Sequence, residues 1–143
     1  MSTLERAIEI ATEAHRGQFD KAGNNYIDHP LRVMSAGKTL NEKIVGVLHD
    51  VVEDSNWTFE QLSNEGFSGE IINALRCVTK LSEDEPYNEF IERVKKNNLA
   101  IAVKINDLSD NMDIRRLKEF TEKDFHRLQK YHRAYIQLVS NKQ

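Results

Sequence analysis

At 143 residues, with 30% charged and 39% hydrophobic side chains, the chain is long enough for one sizeable core, too short for two, and excludes a disordered segment. Its net charge of −3 withholds the basic footprint of general nucleic-acid binding, though local Lys and Arg with a metal can still receive an anionic nucleotide. The one cysteine, Cys77, excludes an internal disulfide, suits a reducing compartment and reads as a small core residue. No apolar run approaches a membrane span and the N-terminus lacks a signal-peptide pattern, so a cytoplasmic protein is expected. Six Gly, two Pro and few β-branched runs point to an all-α single domain.

Ser2 and Glu5 form an S-x-x-E capping box. Leu4, Ala7, Ile8, Ala11, Ala14 and His15 then recur at helical spacing, which predicts a first helix to about Arg16, stopped by Gly17. His15 falls on its apolar face, either as a hydrogen-bonded core residue or as a group supporting a ligand. Residues 17 to 28 are polar, Gly-containing and aperiodic, a long loop of the kind that carries function. It ends at His29-Pro30, where proline suits a helix start; a helix over about 30–39 faces Leu31, Val33 and Met34 inward.

The next helix is apolar almost all round at Ile44, Val45, Val47 and Leu48, and is predicted to continue to Asp54. Its end carries His49, Asp50, Glu53 and Asp54. The pairs His49/Glu53 and Asp50/Asp54 lie four apart and share one edge of a helix. An imidazole and three carboxylates at the end of a buried helix demand a compensating cation, and a divalent metal supplies it. Thr58 with Gln61 predicts a second capping box and a short helix to about Asn64, with Trp57 as a packing anchor. Ser68 caps a helix bearing Ile71, Ile72, Leu75 and Val78, which ends at Thr79-Lys80. Lys80 is a surface lysine unless that end points into a cleft. Residues 82 to 85 read as a solvated acidic turn, and Phe90, Ile91 and Val94 as the inward face of the following helix.

The helix predicted over about 98–115 carries a core stripe, Ile101, Ile105, Leu108 and Met112, interleaved with a polar one, Lys104, Asp107 and Asn111. Phe125, Leu128, Tyr131 or His132, Tyr135 and Leu138 make a terminal amphipathic helix. His126 and His132 have no ligand pattern around them. The candidate ligands are therefore His29, His49, Asp50 and one acid of the Lys104–Asn111 segment. Two imidazoles and two carboxylates make a mixed nitrogen/oxygen site compatible with manganese, iron or zinc. Glu53 and Asp54, one turn away, are placed to position a water or move a proton.

The order His29, His49-Asp50, Asp107 resembles the H…HD…D signature of HD phosphohydrolases. Ala14-His15-Arg16-Gly17-Gln18, Tyr26-Ile27-Asp28-His29-Pro30, Leu48 to Asp54, Val78-Thr79-Lys80-Leu81 and the Lys104-x-x-Asp107-x-x-x-Asn111 frame are similar to the hydrolase domain of Rel/SpoT-type alarmone enzymes and to stand-alone small alarmone hydrolases. The resemblance spans residues 4 to 118. It implies an HD-fold helical bundle and a Mn²⁺-dependent 3′-pyrophosphohydrolase of (p)ppGpp. It also implies His29, His49, Asp50 and Asp107 as metal ligands, the frame selecting Asp107 over Asp110. Glu53 and Asp54 match the acidic pair that activates water and transfers the proton, and Asn111 matches a nucleotide contact. Lys21, Lys80 and Lys104 are the candidate contacts for the substrate anion. With so short a chain, hydrolysis alone, without a synthetase or regulatory domain, is expected. The chain departs from the family pattern at Asp20, Leu108 and Asp113, where basic residues are usual. Two other readings stay open: an HD phosphatase of a different nucleotide or phosphorylated metabolite, and a non-catalytic metal- or nucleotide-binding module.

Overall fold

Both Ser2 and Thr3 are competent helix caps, and the structure, a computed structural model describing residues 2–141, uses the second. Thr3 Oγ1 accepts from the Arg6 amide at 3.1 Å, so helix α1 (Leu4–Ala14) starts one residue later than the S-x-x-E pattern predicts. Ser2 is drawn away instead, its amide donating to the Gly66 carbonyl. Arg6 then reaches Glu65 with a two-pronged ion pair at 2.9 and 3.1 Å, tying α1 to a later turn. The 17–27 segment is more ordered than its composition suggests. The Asp20 amide donates to the Asn24 carbonyl and the Tyr26 amide to the Gln18 carbonyl, around one antiparallel bridge between Phe19 and Asn25. That bridge apart, the regular structure of the described residues is helical.

Helix α2 (Asp28–Ala36) takes Pro30 into its first turn, where a missing amide proton does no harm. Thr39 caps α3 (Leu40–Leu48), and here the continuous helix predicted through Asp54 is broken. His49 Nδ1 donates at 2.6 Å to the Gly46 carbonyl, the acceptor that an unbroken helix would offer the Asp50 amide. His49 and Asp50 form a turn, and the chain restarts as the short helix α4 (Val51–Asp54). The reciprocal Thr58/Gln61 box opens α5 (Phe59–Asn64), and Ser68 caps α6 (Gly69–Val78), both as the sequence predicts. Helix α7 (Tyr87–Val94) follows Pro86. Glu85 is no solvated acid: its side chain is only 7% exposed, gripped by Arg93 at 2.8 Å.

Helix α8 (Asn98–Asn111) ends before the predicted 115, because Asp113 accepts from the Arg115 amide and starts a 3₁₀ turn at Ile114–Arg116. Helix α9 (Glu122–Asn141) packs on α8 through Ala134 and Leu138, with Tyr131 and Tyr135 partly covered; Phe125 is 46% exposed rather than inward. Trp57 and Cys77 lie partly buried against the core.

The buried apolar side chains join one cluster with α3 at its centre, packed against α1, α2, α6 and α8. Helices α2 and α3 approach so closely at Gly46 that a Cβ there would stand 3.2 Å from the Met34 backbone. Only hydrogen fits. This approach brings the start of α2, with His29, against the end of α3, with His49.

Candidate metal centre

Four side chains from three segments meet in a buried knot. His29 Nε2 lies 2.8 Å from Asp107 Oδ1 and 3.8 Å from Asp50 Oδ2. His49 Nε2 lies 3.1 Å from Asp50 Oδ2 and 3.3 Å from Asp107 Oδ1. The ligand atoms of His29, His49 and Asp50 all fall within 4.8 Å of one another. Donors around one ion, bonded at about 2.1 Å, sit about 3 Å apart, so the observed spacings suit a shared divalent cation. The ring orientations suit it as well. His49 Nδ1 faces a carbonyl, and His29 Nδ1 faces Asp110 Oδ2 at 2.6 Å; each therefore carries hydrogen on Nδ1 and turns Nε2 inward.

The charges are tightly coupled. Burial disfavours a charged His29, but hydrogen bonds to Asp107 and Asp110 outweigh it and raise its pKa. Burial likewise opposes a charged His49, while Asp50 and Asp107 hold it well above the ordinary histidine value. Burial alone would raise the Asp50 carboxyl, yet the adjacent His49 charge holds it at about 2. Positive charge on the imidazoles and negative charge on the carboxylates thus favour one another.

Around the knot are residues whose roles the sequence did not disclose. The Tyr26 hydroxyl donates to Asp50 Oδ2 at 2.6 Å. Arg32 grips Asp110 at 2.7 Å, so Asp110, the spacing rival of Asp107, braces His29 from outside. Gln18 donates through Nε2 to the Ala14 and Asp54 carbonyls and accepts from His15 Nδ1. That linkage fixes the end of α4, and with it the acidic pair, to α1. His15 is buried, and burial keeps its pKa low.

Glu53 and Asp54 are exposed beside the knot. Glu53 Oε1 accepts the Lys80 amide at 2.9 Å. Desolvation by the surrounding chain, with the Asp50 and Glu53 charges close by, raises the Asp54 carboxyl to about 7. Asn111 Nδ2 donates to Asp107 Oδ1 at 3.1 Å. The predicted polar stripe of α8 is not a solvated face. Lys104 and Asp107 are buried, with Lys104 Nζ 2.8 Å from Asp107 Oδ2 and 4.9 Å over the Phe90 ring. Lys104 thus backs Asp107 instead of reaching a substrate. Lys80, also predicted as an anion contact, lines a different cavity.

A cavity of about 310 Å³ opens beside His29, Asp110 and Asn111. Lys21, Arg32, Arg116 and Arg127 contribute positive charge to its wall, and Phe19, Tyr26 and Tyr131 aromatic surface. Asp20 and Asp113 also line it, but both carboxylates are engaged locally. Asp20 accepts the Ala22 and Asn24 amides at 2.9 Å. Asp113 is held by Arg115 at 2.8 Å and by Arg116 at 3.3 Å, and these hydrogen bonds keep its carboxyl far below the usual carboxylate range.

In this all-α bundle the sequence order His29, His49-Asp50 and Asp107 closes into one buried knot. No family model matches the chain. It is 32% identical over 124 residues to a probable GTP pyrophosphokinase of Mycobacterium leprae, covering 78% of this chain and 16% of that one. It is 34% identical to a guanosine-3′,5′-bis(diphosphate) 3′-pyrophosphohydrolase of Aquifex aeolicus over 77% of this chain and 17% of the other. With the enzyme of that name from Spiroplasma citri the identity is 42%, over 57% of this chain and 11% of the relative. The chain thus spans between about a tenth and a sixth of the length of these relatives. A solved structure described as a metazoan ortholog of SpoT that hydrolyzes ppGpp superposes with a TM-score of 0.81 at 21% identity, over 97% of this chain and 86% of the other. By sequence the chain is similar, over part of their length, to these pyrophosphokinases and pyrophosphohydrolases, and its fold is that of the SpoT ortholog.

No helix of the described residues is long and apolar enough to cross a membrane.

Proposed function

We propose that the chain is a metal-dependent phosphohydrolase that removes pyrophosphate from a guanosine 3′,5′-bis(diphosphate)-like nucleotide. The observation that carries this reading is the convergence of the His29, His49, Asp50 and Asp107 donors in one knot, whose His29 also lines a cavity walled by arginines and aromatic rings. His29, His49, Asp50 and Asp107 would hold a divalent ion, with Mn²⁺ the leading candidate and Fe or Zn compatible with the same donors. Such an ion, when bound, acidifies water and offsets phosphoryl charge.

The chain's own side chains supply the rest. Asp110 and Gly46 turn the two Nε2 atoms inward, Tyr26 fixes Asp50, and Lys104 fixes Asp107. Glu53 has one oxygen anchored by the Lys80 amide, which leaves the other to orient and deprotonate a water for in-line attack on phosphorus. Asp54, whose carboxyl is pushed up to about 7 by desolvation and the neighbouring Asp50 and Glu53 charges, is the group to hand a proton to the departing oxygen. Lys21, Arg32, Arg116 and Arg127 face the anion, and Asn111 meets the nucleotide where it adjoins Asp107. Because Asp20 and Asp113 are satisfied by neighbouring donors, their negative charge is muted toward the cavity, which supports a phosphate-rich substrate despite these departures from the family pattern.

The test is release of pyrophosphate from ppGpp by the Mn²⁺-loaded protein, beside a panel of other nucleotides. Glu53→Gln is expected to retain the metal and to lose turnover by about 10²–10⁴-fold. Full activity in that variant removes Glu53 from the chemistry. Turnover of another nucleotide with none of ppGpp transfers the assignment to that substrate, and tight binding without turnover under any metal makes the chain a binding module.

A further inference from the structure

A second cavity, of about 530 Å³, lies between α4, α6 and α7 and shares no lining residue with the first. Arg76, Lys80, Arg93 and Lys96 line it, and no carboxylate does. Such a concentration of one sign stands out on a chain with 23 acidic and 20 basic residues. Arg93 is neutralised by Glu85. Arg76, Lys80 and Lys96 have no ion-pair partner among the described residues.

Apart from Thr79, the rest of the lining is apolar. Val52, Phe59 and Leu81 contribute, and Leu81 is 75% exposed although no packing partner requires it there. Arg76 holds its guanidinium 4.7 Å over the Phe59 ring, which orients the group while leaving its charge uncompensated. Three uncompensated cations would repel one another in a shared cleft and gain from a multivalent anion between them. A phosphate chain meets that requirement, and the volume and apolar surface admit a ring system beside it.

We infer that this cavity is a second ligand site, taking a phosphorylated small molecule with an attached ring, such as a nucleoside diphosphate, independently of the His/Asp knot. Its lining contains none of the knot residues, so the inference stands whether or not the chain hydrolyses a nucleotide.

The experiment titrates ADP into the full chain by calorimetry, with EDTA present to keep divalent ions away from the knot. Quenching of Trp57, the one tryptophan and two residues from Phe59, is followed alongside. Saturable binding is expected, weakened at least about tenfold in Arg76→Glu/Lys96→Glu. In Lys21→Glu/Arg127→Glu, which changes the first cavity, it is expected to stay within about twofold of the parent. Arg76 and Lys96 are exposed, so charge reversal leaves the core intact; Arg76→Gln/Lys96→Gln gives a milder loss in the same direction and serves if the reversal variant melts early. Absence of saturable binding, or a loss that follows the first-cavity variant instead, overturns the inference.

Discussion

The two cavities treat positive charge in opposite ways. Beside the knot nearly every cation has a carboxylate: Arg32 with Asp110, Arg116 with Asp113, Arg127 with Asp124, Lys104 with Asp107. In the second cavity, among the described residues, only Arg93 is paired. A paired guanidinium is held at one angle and can position what it touches; an unpaired one is poised to exchange water for an anion. The first arrangement suits a site where geometry decides the outcome, and the second suits one where attraction is enough.

Removing the carboxylate that balances the deepest lysine is the most severe way to break the contrast. Asp107→Ala strands Lys104 in the core, at a cost of about 3–5 kcal/mol in a urea titration. Adding Lys104→Met should return most of that stability while leaving metal uptake abolished, since the donor is still missing. Next comes the brace: Asp110→Asn loosens His29 and should weaken Mn²⁺ binding by about 10–100-fold, read by competition with a chelating dye. Gly46→Ala pushes α2 and α3 apart and is expected to destabilise by about 1–3 kcal/mol, with a matching drop in metal affinity. The smallest effect sharpens the contrast from the other side. A hydrogen bond from Arg93 holds the Glu85 carboxyl below its ordinary value, so this pair adds stability above about pH 4.3, the ordinary glutamate value, that fades as pH falls. Glu85→Gln should therefore cost no more than about 1 kcal/mol at neutrality and progressively less as the pH falls below that value, followed by thermal melts across pH.

Much of the architecture was legible in the sequence because caps and apolar periods are local. Thr58/Gln61 and Ser68 open helices where their patterns place them. The break at His49-Asp50 was not legible, because a histidine that captures its own helix's carbonyl follows the same apolar pattern as one that does not. The spacing of Lys104, Asp107 and Asn111 gives a polar stripe beside a core stripe, and only packing, with Lys104 over the Phe90 ring, reveals that Lys104 and Asp107 are buried. The placement of His29 near His49-Asp50 was foreshadowed by one helix and a short turn between them. The links from Tyr26 to Asp50 and from Gln18 to Asp54 span 24 and 36 residues, beyond the reach of any periodicity.

Lys104 has one more consequence. Its ammonium is sealed in the core and burial does not discharge it, since Asp107 holds it protonated. Asp50 and Asp107 by themselves would just cancel a divalent ion, and the loaded centre would present a neutral face to whatever approached. Under the proposed metal assignment, the Lys104 charge behind the centre would offset part of the negative charge that Glu53 and Asp54 place beside it.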